Sequence, residues 1–470
     1  MNNWKTSRRE RTMYGLYFTG QNMIYVLIFL FLTTYLLMSG LGAVETAGVL
    51  FVVKIWDAVN DCIFGGLIDK IRFKKGKFLP WLKISLPFII ITTIFMFRIP
   101  QSFGISSKIL WFAVAYILWD TAYTICDVPI FGLVTTMTDL QDERTSLMTT
   151  GRIFANIGIL FAMMCGYVLP SEAVGMSFSN TALIVCLIAA VCMFGICVTA
   201  KEYAYDGEKN EDYSIRKMFS YLVHNKYLLI YYAGLLLFTG LNTSSTVLQF
   251  ASFYLFNNSL IATIIAALSF APAIVVAFFM PFLLKKIDKF RLFYISAVIY
   301  VLLSVAIWLI GPVLWVHLTL AIIRGFVYGV ISVLQFMFTP DCAEYGQYMT
   351  GTDAKGITFA IQTFTMKLVT AMASVIAIGI LGLFGWQSVA AESFSELAAL
   401  NVAQTDTALK ALWGVYALLP TIGALAAVLI WRKYTLNTKD VEAMAQFNAG
   451  EIDITECDRR LSRSYGREQQ

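Results

Sequence analysis

The stretch of sequence that decides the fold is KIWDAVND, residues 54–61, inside an apolar run long enough to cross a bilayer. On a helix, residues four apart share a face, so Asp57 and Asp61 point the same way, with Lys54 and Asn60 beside them. A carboxylate at the middle of the hydrocarbon core costs about 3 kcal/mol on insertion scales, and two neighbouring carboxylates repel each other. The pair is therefore predicted to face the protein interior, where it can hold a cation or a proton.

The composition of the whole chain is also that of a membrane protein. The chain has 470 residues, of which 58% are hydrophobic and 14% charged, and its mean hydropathy is +0.70. At about 20 residues per spanning helix plus connections, this length predicts roughly twelve transmembrane helices in an all-α membrane protein. The apolar segments lie near 13–39, 44–69, 81–99, 108–136, 147–169, 178–200, 226–250, 257–284, 290–311, 315–339, 357–384 and 409–432.

Lysine and arginine gather in alternate connections between these segments. By the positive-inside rule both termini are cytoplasmic, in a multi-pass protein of the cell inner (plasma) membrane. The polar stretch 201–225 divides the segments into two sets of six, and similar basic connections follow the second and the eighth segment. We therefore predict an N-terminal six-helix bundle in 1–200, a cytoplasmic linker in 201–225, a C-terminal bundle in 226–434 and a cytoplasmic tail in 435–470.

Several classes of function are excluded by the residues present. Six of the eight cysteines lie in apolar segments, where a thiol acts as a small hydrophobic group, and His224 and His317 are the only histidines. No nucleophile–base set, P-loop or redox motif is found, so an enzyme is not expected. We predict no cofactor and no nucleic-acid partner. The predicted partners of a monomeric chain are a small molecule, a monovalent cation and membrane lipid.

Further polar side chains lie inside the apolar segments. Asp127 is three residues from Thr124 on the fourth segment, and Arg152 on the fifth offers a planar fork that suits a carboxylate or vicinal hydroxyls. Ion pairs that only lock helices together are the alternative, and for Asp120 and Arg324 both interpretations stay open. For Asp57, Asp61, Asp127 and Arg152 together a function is favoured, because desolvating several charges for packing alone is unfavourable.

The motifs also carry a resemblance to a known family. They are KIWDAVND at 54–61, RFKKGKFLPW at 72–81, YTICDVP at 123–129, DER at 142–144 with GR at 151–152, DCAEYG at 341–346, and QT at 362–363 with Lys367. In this order they resemble the glycoside-pentoside-hexuronide:cation symporters, of which melibiose permease is a type. The resemblance implies the major facilitator fold, with twelve transmembrane helices in two pseudo-symmetric six-helix bundles.

The resemblance implies roles for particular residues. The coupling-cation site would consist of Asp57, Asn60, Asp61 and Thr124, with Na⁺ as one candidate ion at Asp57, Asp61 and Thr124. The substrate site would consist of Asn22, Asp127, Phe131, Arg152, Gln362, Thr363 and Lys367. Asn22 stands where the galactoside-specific member has a sugar-binding aspartate and follows Gln21 where that member has a basic residue, which puts melibiose specificity in doubt. Phe131 stands where it has a tryptophan against the sugar ring.

The function implied is secondary active symport of a glycoside or oligosaccharide, coupled to Na⁺ or H⁺ by alternating access. A pentoside or hexuronide substrate stays open, because the family spans these classes and Arg152 and Lys367 suit charged and neutral sugars. The alternatives are an uncoupled sugar facilitator and a membrane sugar sensor. A cation-dependent shift in sugar affinity would argue against a facilitator, and the tail after Arg432 is too short for a signalling domain.

Overall fold

The computed structural model describes residues 4–71, 73, 76–202, 221–223, 225–351 and 355–465. This part of the chain is helical and contains no β-strand, only two isolated bridges. The α-helices are α1 Arg8–Val26, α2 Leu32–Met38, α3 Ala43–Lys70, α4 Leu79–Met96, α5 Ile105–Met137, α6 Gln141–Val168, α7 Phe178–Thr199, α8 Lys226–Gly240, α9 Ser244–Phe256, α10 Ile261–Leu284, α11 Lys289–Ile310, α12 Leu314–Leu334, α13 Phe338–Thr350, α14 Lys355–Leu383, α15 Phe394–Ala399, α16 Asp406–Trp413, α17 Leu419–Trp431, α18 Thr438–Asn448 and α19 Ile454–Arg460.

Some of these helices join into longer membrane segments. A π-helical turn at Leu27–Phe31 links α1 to α2, and another at Gly414–Leu418 links α16 to α17. The described residues form eleven segments long and apolar enough to cross a membrane. Helix α3, 28 residues long, is the remaining segment of the twelve that the sequence predicts, and it differs from the others in carrying the charged stretch 54–61. The tenth segment continues to Thr350, well beyond its predicted end near 339.

The outward faces of these segments are apolar. Val191, Phe278 and Trp315 are each 78% exposed or more, although they lie in the middle or at the start of long apolar helices. Such surfaces are unfavourable in water and are what a helix presents to lipid. The helices therefore have the surface of a multi-pass membrane protein.

The chain divides into two compact units. The first contains described residues within Met1–Lys209, Ser245–Thr263 and Ala377–Ala411. In it, α1 packs against both α6 and α7, and α4 packs against α5. The α1–α6 approach is close enough to require glycine, because a Cβ on Gly158 would lie 2.2 Å from the Thr19 carbonyl oxygen. This packing places one face of α1 against α6, the helix that carries Arg152.

The second unit contains described residues within Asn210–Ser244, Ile264–Ile376 and Leu412–Gln470. Its core is a cluster of aromatic side chains around the fully buried Trp431, whose indole N–H donates to the Tyr231 carbonyl at 3.1 Å. Polar groups within its spans also find partners inside the unit. Nε2 of His317 lies 2.8 Å from the Tyr416 hydroxyl, and the Arg324 guanidinium lies over the Tyr300 ring at 5.6 Å.

Two of the sequence motifs contain a carboxylate that holds a helix end through a hydrogen bond or an ion pair. Glu143, in the DER motif, is buried and accepts hydrogen bonds from the Thr6 amide at 2.8 Å and the Thr138 hydroxyl at 2.6 Å. Asp341, which opens the DCAEYG motif, forms an ion pair with Lys289 at 2.5 Å. These contacts give both carboxylates a structural role at a helix end.

The segment after Trp431 is folded through residue 465. The Asp440 carboxylate on α18 is fully buried and accepts hydrogen bonds from the Ser462 amide at 2.8 Å, the Ser462 hydroxyl at 2.6 Å and the Tyr465 hydroxyl. The Thr438 amide donates to Asp288 at 3.0 Å, which ties α18 to the start of α11. The buried Asp440 therefore fixes the end of the tail to α18, and the half-buried Asp288 ties α18 to α11.

Replacing Gly234 by alanine should lower the apparent melting temperature of the purified protein. A Cβ there would lie 2.1 Å from Nε1 of Trp431, and overpacking a core costs about 1–3 kcal/mol. Gly240→Ala is the matched control on the same helix, because its Cβ would meet only Met372 at ordinary contact distance. Thermal denaturation in detergent checks both variants. Equal melting temperatures for the two would contradict this account of the core.

Candidate functional site

Asn60 joins α3 to α5 at the centre of the predicted cation site. Its side chain is fully buried, and its amide nitrogen donates to the Thr124 hydroxyl at 2.8 Å. Its amide oxygen accepts from the Thr121 hydroxyl at 3.1 Å. The Thr124 hydroxyl in turn donates to the carbonyl of Asp120, one turn earlier, at 3.1 Å. The structure therefore brings together Asn60 and Thr124, two of the four residues predicted to bind the cation.

The charged residues of α3 lie next to this bridge. Nζ of Lys54 is 3.7 Å from Oδ2 of Asp57, and the two side chains are 20% and 16% exposed. Lys54 also lies over the Tyr116 ring on α5, at 5.2 Å from its centroid. Asp57 thus faces α5 from the same side of α3 as Asn60. Asp61 belongs to α3, but its side chain lies outside the described residues.

Asp127 is held from α1. Nε2 of Gln21 donates to its carboxylate at 2.5 Å, and Gln21 is only 1% exposed. The neighbouring Asn22, which the resemblance assigns to the substrate site, instead donates its amide to the Phe18 carbonyl of its own helix at 2.9 Å. Gln21 is the residue that sequence reasoning missed, and the only signal for it was its place beside Asn22.

An aromatic row on α5 connects the surroundings of Asp57 and Asp127. The Trp119 and Tyr123 rings stack with centroids 5.2 Å apart, and Tyr123 lies 5.8 Å from Tyr25 on α1. Trp119 also lies 5.9 Å from Tyr116, the ring over which Lys54 lies. The row therefore extends along α5 from the surroundings of Lys54 and Asp57 to those of Asp127.

Phe131 and Arg152, two of the predicted substrate residues, have exposed side chains. Phe131 is 47% exposed, and its ring edge packs on Phe18 with centroids 5.3 Å apart. Arg152, on α6, is exposed and pairs with none of the described carboxylates. An exposed aromatic ring and an exposed guanidinium are groups that suit a sugar, through its apolar C–H face and its hydroxyls.

The remaining predicted substrate residues belong to α14 in the second unit. Gln362 is half-buried, and its buried Oε1 has no hydrogen-bond donor among the described residues. Thr363 is exposed, and its hydroxyl donates to the Phe359 carbonyl at 3.3 Å. Lys367 is half-buried on the same helix. The structure therefore divides the predicted substrate residues between the two units.

The chemistry of the α3–α5 region is that of oxygen ligands. Among the described residues, no group of three or more His, Cys, Asp or Glu side chains could hold a metal ion. What α3 and α5 present is carboxylate, amide and hydroxyl oxygen, the donor set of a hard cation rather than of a soft transition metal. The same carboxylates could also bind a proton.

Comparison with solved structures identifies the fold. The chain is similar to the nucleoside transporter NupG, with a TM-score of 0.63 and 13% identity over 91% of this chain and 100% of that one. It is also similar to a bacterial homolog of the human lysosomal transporter Spinster, with a TM-score of 0.59 and 13% identity over 97% of this chain and 98% of that one. These likenesses show the fold alone, and it is the major facilitator fold that the motifs predict.

Comparison with sequences identifies the family. The family model described as MFS/sugar transport protein matches residues 13–438. The glucuronide carrier protein homolog of Escherichia coli K12 is 26% identical over 443 residues, which cover 91% of this chain and 93% of the relative. The chain therefore belongs to the MFS/sugar transport proteins, the glycoside-pentoside-hexuronide family that its motifs predict, and it transports a sugar.

The contact between Gln21 and Asp127 predicts the effect of substitution. Gln21→Leu should weaken sugar binding by about tenfold to a hundredfold, because removing a partner of a buried charged group costs about 1.5–3 kcal/mol. Gln21→Lys should keep the affinity near wild type, because a lysine can still donate to the carboxylate. Equilibrium binding of the sugar found by a ligand screen checks both variants. A larger loss on Asn22→Leu than on Gln21→Leu would contradict this assignment.

Proposed function

We propose that the protein is a secondary symporter that takes up a glycoside or oligosaccharide with Na⁺ or H⁺, in the inner membrane with both termini cytoplasmic. The observation that carries this proposal is the arrangement on α5. Thr124 and Asp127 are three residues apart on that helix and so lie on one face. Thr124 is held by Asn60 of α3, and Asp127 is held by Gln21 of α1.

This arrangement supplies a physical route for coupling. A cation that binds at Asp57, Asp61 and Thr124 offsets the repulsion between carboxylates and fixes the position of α5. Since Asp127 belongs to the same helix, it then becomes ordered for the hydroxyls of a sugar, which Arg152 and Phe131 would also contact. Each ligand thereby raises the affinity for the other, by the same factor, as linkage requires.

The substrate class is supported by the names of relatives. They include the glucuronide carrier homolog and the isoprimeverose transporter of Lactiplantibacillus pentosus, which is 23% identical over 94% of this chain and 92% of the relative. Arg152 suits both a hexuronide carboxylate and the hydroxyls of a neutral glycoside. A binding screen over α- and β-glycosides, xylosides and glucuronides, with and without Na⁺ and at two pH values, selects between these classes.

Neutralising the acids of α3 should uncouple transport. In proteoliposomes that contain the full-length protein, Asp57→Asn and Asp61→Asn should take up the sugar only to equilibrium, under either a Na⁺ or a proton gradient. Wild-type protein should accumulate the sugar against its gradient. The measurement is accumulation of the radiolabelled sugar identified by the screen.

The matched control is Asp139→Asn. Asp139 is exposed, and its ion pair with Lys5 is exposed as well, so its loss should change accumulation little. Full gradient-driven accumulation by both α3 variants would refute the coupling role. Equilibration without accumulation by the wild-type protein would instead identify an uncoupled facilitator.

A further inference from the structure

A cavity of about 730 Å³ lies in the first unit, and none of its lining residues belongs to α3 or α5. It is formed by the connections at 169–177, 257–260 and 400–405, together with the adjoining parts of α9, α15 and α16. None of these connections contains Lys or Arg, so the positive-inside rule predicts that the cavity faces away from the cytoplasm. Its volume lies in the range of about 300–1,000 Å³ that small-molecule sites occupy.

The walls of this cavity are fixed by hydrogen bonds. Gln404 is buried, and its side-chain amide donates to the Gln387 carbonyl at 2.8 Å and accepts from the Gln387 amide at 3.0 Å. Glu172 accepts from the Ser259 amide at 3.0 Å and from the Ser259 hydroxyl, which ties the first connection to the second. Walls that are held in place before a ligand arrives reduce the entropy cost of binding.

Two asparagines on the cavity have an unusual backbone conformation. Asn257 follows α9 with a φ of 56°, and Asn401 lies just after α15 with a φ of 49°. Among the described residues, the seven other positions with positive φ are all glycines. Glycine is the residue that this conformation favours, and a helix end needs no more than that. The two asparagines therefore indicate a use for the amide side chain that glycine could not serve.

The groups on the cavity suit a neutral ligand with several hydroxyls. The side chains of Asn257 and Asn401 are exposed and have no hydrogen-bond partner in the described part of the chain. Each amide can donate to one hydroxyl and accept from another. The half-buried Tyr254 gives the wall an aromatic ring for the apolar C–H face of a sugar. Glu172 is the only charged side chain among the described lining residues, so an anionic ligand would find repulsion and no counter-charge.

We propose that this cavity is a second sugar site, on the outer side of the membrane, which binds a neutral glycoside before the glycoside reaches the transport site. Asn257 and Asn401 would bind its hydroxyls from two different connections, and Tyr254 would contact its apolar face. A hexuronide would bind there more weakly than a neutral glycoside. This inference rests on the proposed function, from which it takes the orientation of the chain, and it adds a capture step to that function.

The experiment uses two probes that differ only in one carboxylate, methyl β-D-glucoside and methyl β-D-glucuronide. Saturation-transfer difference NMR measures weak binding of each to the purified full-length protein. The Asp127→Ala variant serves as the background, because Asp127 belongs to the proposed transport site and not to the cavity. The glucoside should bind to this variant, and the glucuronide should bind about tenfold more weakly.

Substitutions on the cavity test whether the signal comes from it. Asn257→Gly and Asn401→Gly keep the left-handed backbone and remove only the amide, so each should weaken glucoside binding about fivefold without lowering the melting temperature. Ala398→Trp should fill the cavity and abolish binding. Ala399→Trp is the matched control, because the next residue of α15 is also exposed but does not line the cavity. Its glucoside binding should equal that of the Asp127→Ala background.

Three outcomes would overturn the inference. The first is an Asp127→Ala protein that does not bind the glucoside, and the second is binding that Ala398→Trp and both glycine variants leave unchanged. The third is equal binding of the glucuronide, which would contradict a site for neutral sugars. The proposed function is judged separately by sugar accumulation in the wild-type protein, which does not require that the cavity bind a sugar.

Discussion

The structure depends on one constraint, which is that a carboxylate taken out of water needs a counter-charge or hydrogen-bond donors close by. On α3, Asp57 has Lys54 at 3.7 Å. The side-chain amide of Asn60 donates to one α5 hydroxyl and accepts from another. On α5, Asp127 receives the amide of Gln21. Removing such groups from water costs several kcal/mol each, about as much as the net stability that a small domain retains. The positions of Asp57, Asn60 and Asp127 are therefore explained by their polar partners rather than by apolar packing.

Under the proposed symport, the same constraint makes α5 the helix that would couple the two ligands. Its face carries Asp120, Thr124 and Asp127 within eight positions, and the partners of Thr124 and Asp127 come from α3 and α1. In the proposed coupling, a change in charge on the α3 side would reach Asp127 through α5 itself. The proposed coupling therefore needs only α5, whose polar residues are held by α3 at one end and by α1 at the other.

Most of the fold could be predicted from the sequence because it depends on the lengths of the apolar segments and on the distribution of Lys and Arg between them. Both are properties of many residues, so an error at one position changes them little. The helix ends were harder, since the extension of the tenth segment to Thr350 depends on buried polar contacts such as Lys289–Asp341. At the site, only the family resemblance placed Asn60 and Thr124 together; the spacing along either helix could not, because they belong to different helices. That Gln21 rather than its neighbour Asn22 contacts Asp127 could not be predicted. A shift of one residue turns a side chain by about 100° around the helix, and only the packing of α1 on α5 decides which side chain reaches Asp127.

The most direct test of the account is reciprocity between the two ligands in the wild-type protein. Calorimetry would give the dissociation constant of the sugar with and without the coupling cation, and that of the cation with and without the sugar. The account predicts that both constants fall, and that they fall by the same factor. A sugar affinity independent of Na⁺, Li⁺ and pH would contradict it.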